Sequence, residues 1–194
     1  MSESAALERD LTDPVEQLLV RPNRREELAR DLVSAAYMRG DFVLSSGRRS
    51  SYYFDKYRFE TKPTILRQVA ALLSEHVPDN VDRLAGPELG AVALATALSL
   101  ETGIPFVILR KTAKGYGSDR LVEGELHPGE RVLVVEDVVT TGAQAIAGAN
   151  QVCRLGASVA GILAILDRQE GGANNVAAAG YAFHALFTRK ELGL

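Results

Sequence analysis

The chain has 194 residues, with 22 basic against 25 acidic side chains, a net charge of −3 and one cysteine. That length fits a single domain able to bury roughly 70% of its unfolded surface, which needs no disulfide framework or structural metal. The slight acidic surplus argues against general nucleic-acid binding, no apolar run approaches the roughly 18 residues of a membrane helix, and the acidic start lacks a secretory signal.

Residues 1–22 read as a partly ordered lead-in, followed by one domain over 23–194 with an N-terminal hood at about 23–60 and a core at about 61–194. Asn23 can cap a helix in which Leu28, Leu32, Val33, Ala36 and Tyr37 recur at helical spacing, and Gly40 can stop it. "DFVLSSGRRSSYYFD" reads as two extended pieces around a Ser/Gly turn. Pro63 then opens an amphipathic helix, since its missing N–H is no loss in a first turn. From there strands and helices alternate. "VDRLAG" is a short strand to Gly86, a helix spans about Leu89 to Thr102, and "IPFVILR" is a strand. "RVLVVED" is the next strand, "GAQAIAGANQVCRLG" a helix stopped by Gly156, and "SVAGILAILD" an apolar strand. A short alanine-rich helix and a last strand, "YAFHALF", close the chain. Alternation with fully apolar strands predicts an α/β fold whose mostly parallel sheet is covered on both faces. Cys153 is expected to be a small buried residue of its helix in a protein of the reducing cytoplasm. His76, His127 and His184 show no metal-ligand spacing and receive no role.

Chemistry concentrates in "VLVVEDVVTTG", residues 132–142. A buried strand here runs into Glu136 and Asp137, then into Thr140, Thr141 and Gly142 at the start of a helix. Ligands of open α/β sheets bind beyond the carboxyl ends of strands. Unpaired N–H groups and the dipole at a helix N-terminus favour an anion, threonine hydroxyls add donors, and glycine admits close backbone approach. A monophosphate in the loop and a polyol under the acids satisfy both ends. Ala143 stands where a nucleotide-triphosphate loop needs lysine, and no GxGxxG follows the first strand. A second feature is "RKTAKGYGSDR", residues 110–120, a cationic glycine-bearing loop that suggests a local anion site.

The 132–142 string resembles the phosphoribosyl-diphosphate (PRPP) motif of type I phosphoribosyltransferases. Three more stretches, in the family's order, resemble the orotate-specific branch: "FVLSSGRRSSYYFD", the loop "RKTAKGYG" and the turn "LDRQEGG". The resemblance covers about residues 23–194 and implies the type I phosphoribosyltransferase fold, transfer of phosphoribosyl from PRPP to orotate, and Mg²⁺ as cofactor. It places PRPP on Arg110, Lys111, Lys114, Tyr116, Glu136, Asp137, Val138, Val139, Thr140, Thr141, Gly142, Ala143 and Gln144. Lys114 is implied as principal catalytic residue on the departing diphosphate. Asp137 is implied near Mg²⁺ and as a possible proton acceptor. Orotate is implied on Tyr53, Phe54, Thr140 and Arg168, with Tyr53 and Phe54 as an apolar wall and Arg168 as a planar multi-donor. By position "GPELG", residues 86–90, resembles the diphosphate-binding loop. A homodimer sharing loop 110–120 across its interface is likewise implied, with no nucleic-acid or membrane partner. The sequence departs from the family pattern at Ser45 and Glu88, where lysines are frequent, at Tyr116, where histidine is, and at Glu136, where aspartate is. The other readings are a phosphoribosyltransferase for another nucleobase and a PRPP-sensing regulator without activity.

Overall fold

The computed structural model describes residues 24–43, 49–111 and 121–194. Helix α1 (Arg24–Ala36) buries Leu28, Leu32, Ala35 and Ala36. The chain then enters an antiparallel hairpin of β1 (Tyr37–Val43) and β2 (Arg49–Phe54). Gly40 therefore does not stop the helix; Ala36 does. Tyr37 pairs in register with Phe54 and stacks its ring 5.6 Å from that of Tyr52, so aromatic cross-strand contact overrides the helical spacing. Gly40 lies where the hairpin register shifts, and a Cβ there would meet the Phe42 ring at 2.9 Å. One helical turn, α2 (Tyr57–Glu60), leads to α3 (Pro63–Ser74), with Pro63 in its first turn as expected.

The core follows as β3 (Arg83–Pro87), α4 (Gly90–Thr102), β4 (Phe106–Leu109), β5 (Val122–Glu123), β6 (Arg131–Val139), α5 (Ala143–Arg154), β7 (Ser158–Asp167), α6 (Gly172–Ala178) and β8 (Phe183–Thr188). The strands order as β5-β4-β3-β6-β7-β8, all neighbours parallel except β5, which pairs antiparallel with β4. Alternation along β6 divides the core. Leu133 and Val135 join Leu84, Leu163 and Ile165 under α1, α3 and α4, whereas Val132 and Val134 join Ala85 and Val107 under α5 and α6. Both faces are covered, as the apolar strands predict.

Two details fix where a ligand can enter. β6 pairs with β3 only from Val132 to Val134, but with β7 it continues to Val139 opposite Asp167. Continuing the β3 register puts Pro87, the end of β3, level with Glu136, so residues 137–139 project past it and open a crevice on that side. The second detail corrects an expectation: Cys153 is exposed, with Sγ 3.7 Å from Tyr181 Oη. Ala145, Gly148, Ala149 and Val152 make the buried stripe of α5, and the next residue turns about 100° away from it. Residues 1–22, Ser45, Lys114 and Tyr116 lie outside the described residues.

Candidate active site

The crevice is built from two facing parts. On one side the backbone leaves β6 at Val139, passes through Thr140 and Thr141, and enters α5 with Gly142 as its N-cap at φ 79°. That left-handed conformation suits glycine. The loop rests on the start of α6. Asn175 Nδ2 donates to the Thr141 carbonyl at 2.9 Å, Arg168 N–H donates to the Val139 carbonyl at 2.8 Å, and a Cβ on Gly172 would lie 2.6 Å from the Thr140 oxygen. The Val139 and Thr141 carbonyls thus find partners behind the loop, and a helix start has no internal partners for its first-turn N–H groups, the arrangement an anion requires.

On the other side are the acids. Glu136 and Asp137 are buried, at 3% and 1% exposure. Asp137 Oδ1 accepts from the Val138 N–H at 2.5 Å, and Oδ2 faces the Lys56 ammonium at 2.6 Å. Glu136 Oε1 accepts a long 3.2 Å bond from the Asp137 N–H, and its Oε2 has no hydrogen-bond partner. Burial, then the Asp137 charge, pushes the Glu136 carboxyl well above the usual carboxylate range. A third buried acid, Glu60, stands beside them; burial first and the Asp137 charge second raise it to about 8. Burial opposes the charge on Lys56, but Asp137, Glu136 and Glu60 together raise its pKa. Acids and loop line one cavity of about 220 Å³. Glu136, Asp137 and all of residues 138–144 border it. The carboxyl-terminal half of the 132–142 string therefore lines a single cavity.

The loop 86–90 closes a third edge. A Cβ at Gly90 would fall 1.8 Å from Asp137 Oδ2 and 2.8 Å from Lys56 Nζ, so only glycine lets this loop meet the acids. Glu88 accepts from the Lys111 N–H at 2.8 Å and lies 4.0 Å from Arg110 Nε. A neighbouring cavity of about 430 Å³ carries Arg110, Lys111 and Arg154 and shares Ala143 and Gln144 with the first. Cationic and acidic halves of the crevice thus meet at the start of α5.

A phosphoribosyl transferase domain model matches residues 58–179. Orotate phosphoribosyltransferase of Thermococcus gammatolerans is 44% identical over 164 residues, 83% of this chain and 87% of that one. The crystal structure of Mycobacterium tuberculosis orotate phosphoribosyltransferase in complex with PRPP superposes with a TM-score of 0.76 at 32% identity, covering 88% of this chain and 99% of that chain. The Aeropyrum pernix enzyme gives 0.77 at 34% identity over 85% and 95%. The chain belongs to the orotate phosphoribosyltransferase family.

The acceptor side expected of an orotate phosphoribosyltransferase is arranged less simply than its motifs suggest. Phe54 turns its ring into the core, 5.9 Å from Phe59, so its side chain is no part of an exposed apolar wall. Tyr53 is 40% exposed and leans on Phe42 at 5.5 Å. Arg168 lies over the ring of Tyr52 at 5.9 Å and pairs with Glu170 at 3.1 Å. Strand alternation explains this: Tyr52 and Phe54 share one side of β2 and Tyr53 takes the other. Sequence reading missed Lys56, Glu60 and Tyr52. The one signal for the first two was their i, i+4 spacing, which puts an acid and a base on one helical face.

Proposed function

We propose that the protein transfers the 5-phosphoribosyl group of PRPP to a ring nitrogen of orotate. The bond from C1 to the diphosphate oxygen breaks, the C1–N bond forms, the proton of that ring nitrogen is released to the diphosphate or to water, and the products are orotidine 5′-monophosphate and diphosphate, the pyrimidine nucleotide-forming step. The observation that carries this reading is the anion-ready loop 140–144 in one cavity with two buried acids, the shape and polarity of a ribose 5-phosphate site. The solved PRPP complex of the related M. tuberculosis enzyme supports it.

In this reading residues 140–144 hold the 5′-phosphate by backbone N–H groups and threonine hydroxyls, and Glu136 and Asp137 accept from the ribose hydroxyls. The departing diphosphate gathers negative charge while C1 becomes positive. Arg110, Lys111 and Lys114 offset the first, and the buried acids favour the second. Loop 110–120, with Lys114 and Tyr116, covers the reacting atoms and excludes water. Arg168 meets orotate together with Thr140 and the β2 backbone at Tyr53 and Phe54. Tyr52 orients Arg168 by cation–π contact.

The donor set also fits Mg²⁺. Oxygen ligands suit this hard cation, and Glu136 Oε2 is a buried oxygen without a hydrogen-bond partner. Among the described residues no cluster of three or more metal-ligating side chains exists. That accords with an ion bound through one carboxylate, chiefly Asp137, plus substrate oxygens and water. When bound, it supplies charge neutralisation of the diphosphate. We further place the protein in the cytoplasm as a homodimer sharing loop 110–120. The exposed Cys153 thiol suits a reducing compartment, and no helix among the described residues is long and apolar enough to cross a membrane.

The test is orotate consumption with PRPP and Mg²⁺, unaltered protein beside Lys114→Ala. Turnover is expected to fall about 10²–10³-fold, the scale of a lost transition-state electrostatic contact, while orotate still binds. Equal rates refute the role of Lys114, and consumption of another base in preference to orotate refutes the acceptor.

A further inference from the structure

The ribosyl donor is an anion, yet the cavity that would hold its sugar is walled by carboxylates. Glu136 and Asp137 line it, Glu60 packs behind them, and only Lys56 among its described lining residues carries positive charge. We propose that Lys56 is a donor-binding residue of this site, holding Asp137 with one N–H and offering the others to the sugar-phosphate. The inference rests on the ribose 5-phosphate reading of the cavity and adds a residue that none of the sequence motifs contains.

The geometry supports the dual role. Lys56 sits at the junction of β2 and α2, its carbonyl accepting from the N–H groups of Phe59 and Glu60 at 3.1 and 3.0 Å. From this fixed base the side chain passes beside Gly90, whose missing Cβ leaves room for Nζ, and reaches Asp137 Oδ2 at 2.6 Å. The Asp137 side chain is 1% exposed and that of Lys56 is 30% exposed. The carboxylate thus borders the cavity from a buried position while the ammonium keeps a more open side. An ammonium has three donors and Asp137 takes one, so the open side can meet a phosphate or hydroxyl oxygen. Among the described lining residues this ammonium is also the one basic side chain facing an incoming anion, beside acids that offer it no attraction. Its position between β6 and the 86–90 loop places it where ribose and diphosphate would meet.

A purely structural counter-ion would act only through Asp137, which gives the experiment its form. Binding of PRPP and of ribose 5-phosphate is measured calorimetrically, with and without Mg²⁺, for the unaltered protein, Lys56→Met, Lys56→Arg, Asp137→Asn and the Lys56→Met/Asp137→Asn double variant. Orotate binding and thermal midpoint are measured beside them. Lys56→Met is expected to weaken both sugar-phosphates about tenfold, the loss of one charge-assisted hydrogen bond, with orotate affinity unchanged and with recovery in Lys56→Arg. The same loss should persist when the double variant is compared with Asp137→Asn. The double variant removes both charges together, so it leaves no buried carboxylate stranded and stays testable if Lys56→Met alone does not fold. If Lys56→Met does not alter affinity in the Asp137→Asn background, the ammonium acts only as a counter-ion and the proposal is overturned. Failure of the unaltered protein to bind ribose 5-phosphate would instead overturn the reading of the cavity.

Discussion

Gly90 shows how one absent methyl group sets the site. It begins α4, yet the constraint on it comes from the β6 acids and from Lys56, whose atoms stand 1.8 and 2.8 Å from where a Cβ would be. Neither neighbour can yield cheaply, because Asp137 is buried and Lys56 is paired with it. Gly90→Ala is therefore expected to force the ion pair apart, costing about 1–3 kcal/mol as overpacking does. PRPP affinity should fall with it. A melting curve and a PRPP titration check this, and an alanine variant matching the parent in both would show that the 86–90 loop is not pressed against the acids. The acids themselves were legible in the sequence because two carboxylates inside an aliphatic strand are a local anomaly. Their partner was not. Lys56 lies in another element far along the chain, and its i, i+4 spacing to Glu60 is equally that of a solvated surface pair. His76 and His184 were opaque for the same reason: their rings meet at 4.2 Å across a helix end and the last strand, which spacing cannot reveal.

At the level of elements, the phosphate loop depends on the short helix beneath it. α6 has seven residues and buries only Gly172 and Val176. At Gly172 a Cβ would approach Val139 Cγ1 to 2.5 Å and the Thr140 oxygen to 2.6 Å, the second being backbone that cannot rotate away. Gly172→Ala should lift the loop off α6 and splay the N–H groups that receive the 5′-phosphate. We expect about a tenfold loss of ribose 5-phosphate affinity, by the same overpacking scale, with orotate affinity much less affected. Calorimetric titration of both ligands decides it, and equal losses for the two would mean general disorder instead. Here the sequence was informative about the loop and silent about its support. Strand, hydroxyls, glycine and helix start occur within eleven residues, and each is a local signal. Gly171 and Gly172 read only as a turn, because their value lies in contacts with Val139 and Thr140. β5 escaped notice on similar grounds: two residues at a sheet edge carry no periodicity, and their antiparallel pairing with β4 exists only in the assembled sheet.

Across the whole molecule, ionisable groups bias stability in opposite directions, and the pH profile should show both. Arg83 and Glu130 tie the start of β3 to the turn before β6 through two hydrogen bonds of 2.8 and 2.6 Å. Those bonds, above all, hold the Glu130 carboxyl at about 2. A carboxyl lowered on folding stabilises the native state fully above its ordinary value near 4.5, and the contribution disappears as pH falls from there toward 2. His184, lowered first by burial and then by the His76 charge, acts in the same sense just below its ordinary value near 6.5. Glu60 works the other way. Raised to about 8, it favours the folded state below 4.5, and that contribution is lost as pH rises toward 8. The enzyme is thus expected to be most stable in mildly acidic solution. Glu130→Gln should melt lower than the parent at pH 6 and converge with it as pH approaches 2, because the protonated parent has lost the same pair. Glu60→Gln should make the decline between pH 5 and pH 8 shallower, since the amide carries no charge to desolvate, while the raised Glu136 carboxyl keeps its own share. Melting temperatures recorded from pH 2 to pH 9 for the three proteins provide the check. A Glu130→Gln curve parallel to the parent throughout would mean the Arg83 pair contributes no pH-dependent stability, and a Glu60→Gln curve retaining the alkaline decline undiminished would mean that Glu60 contributes none of it.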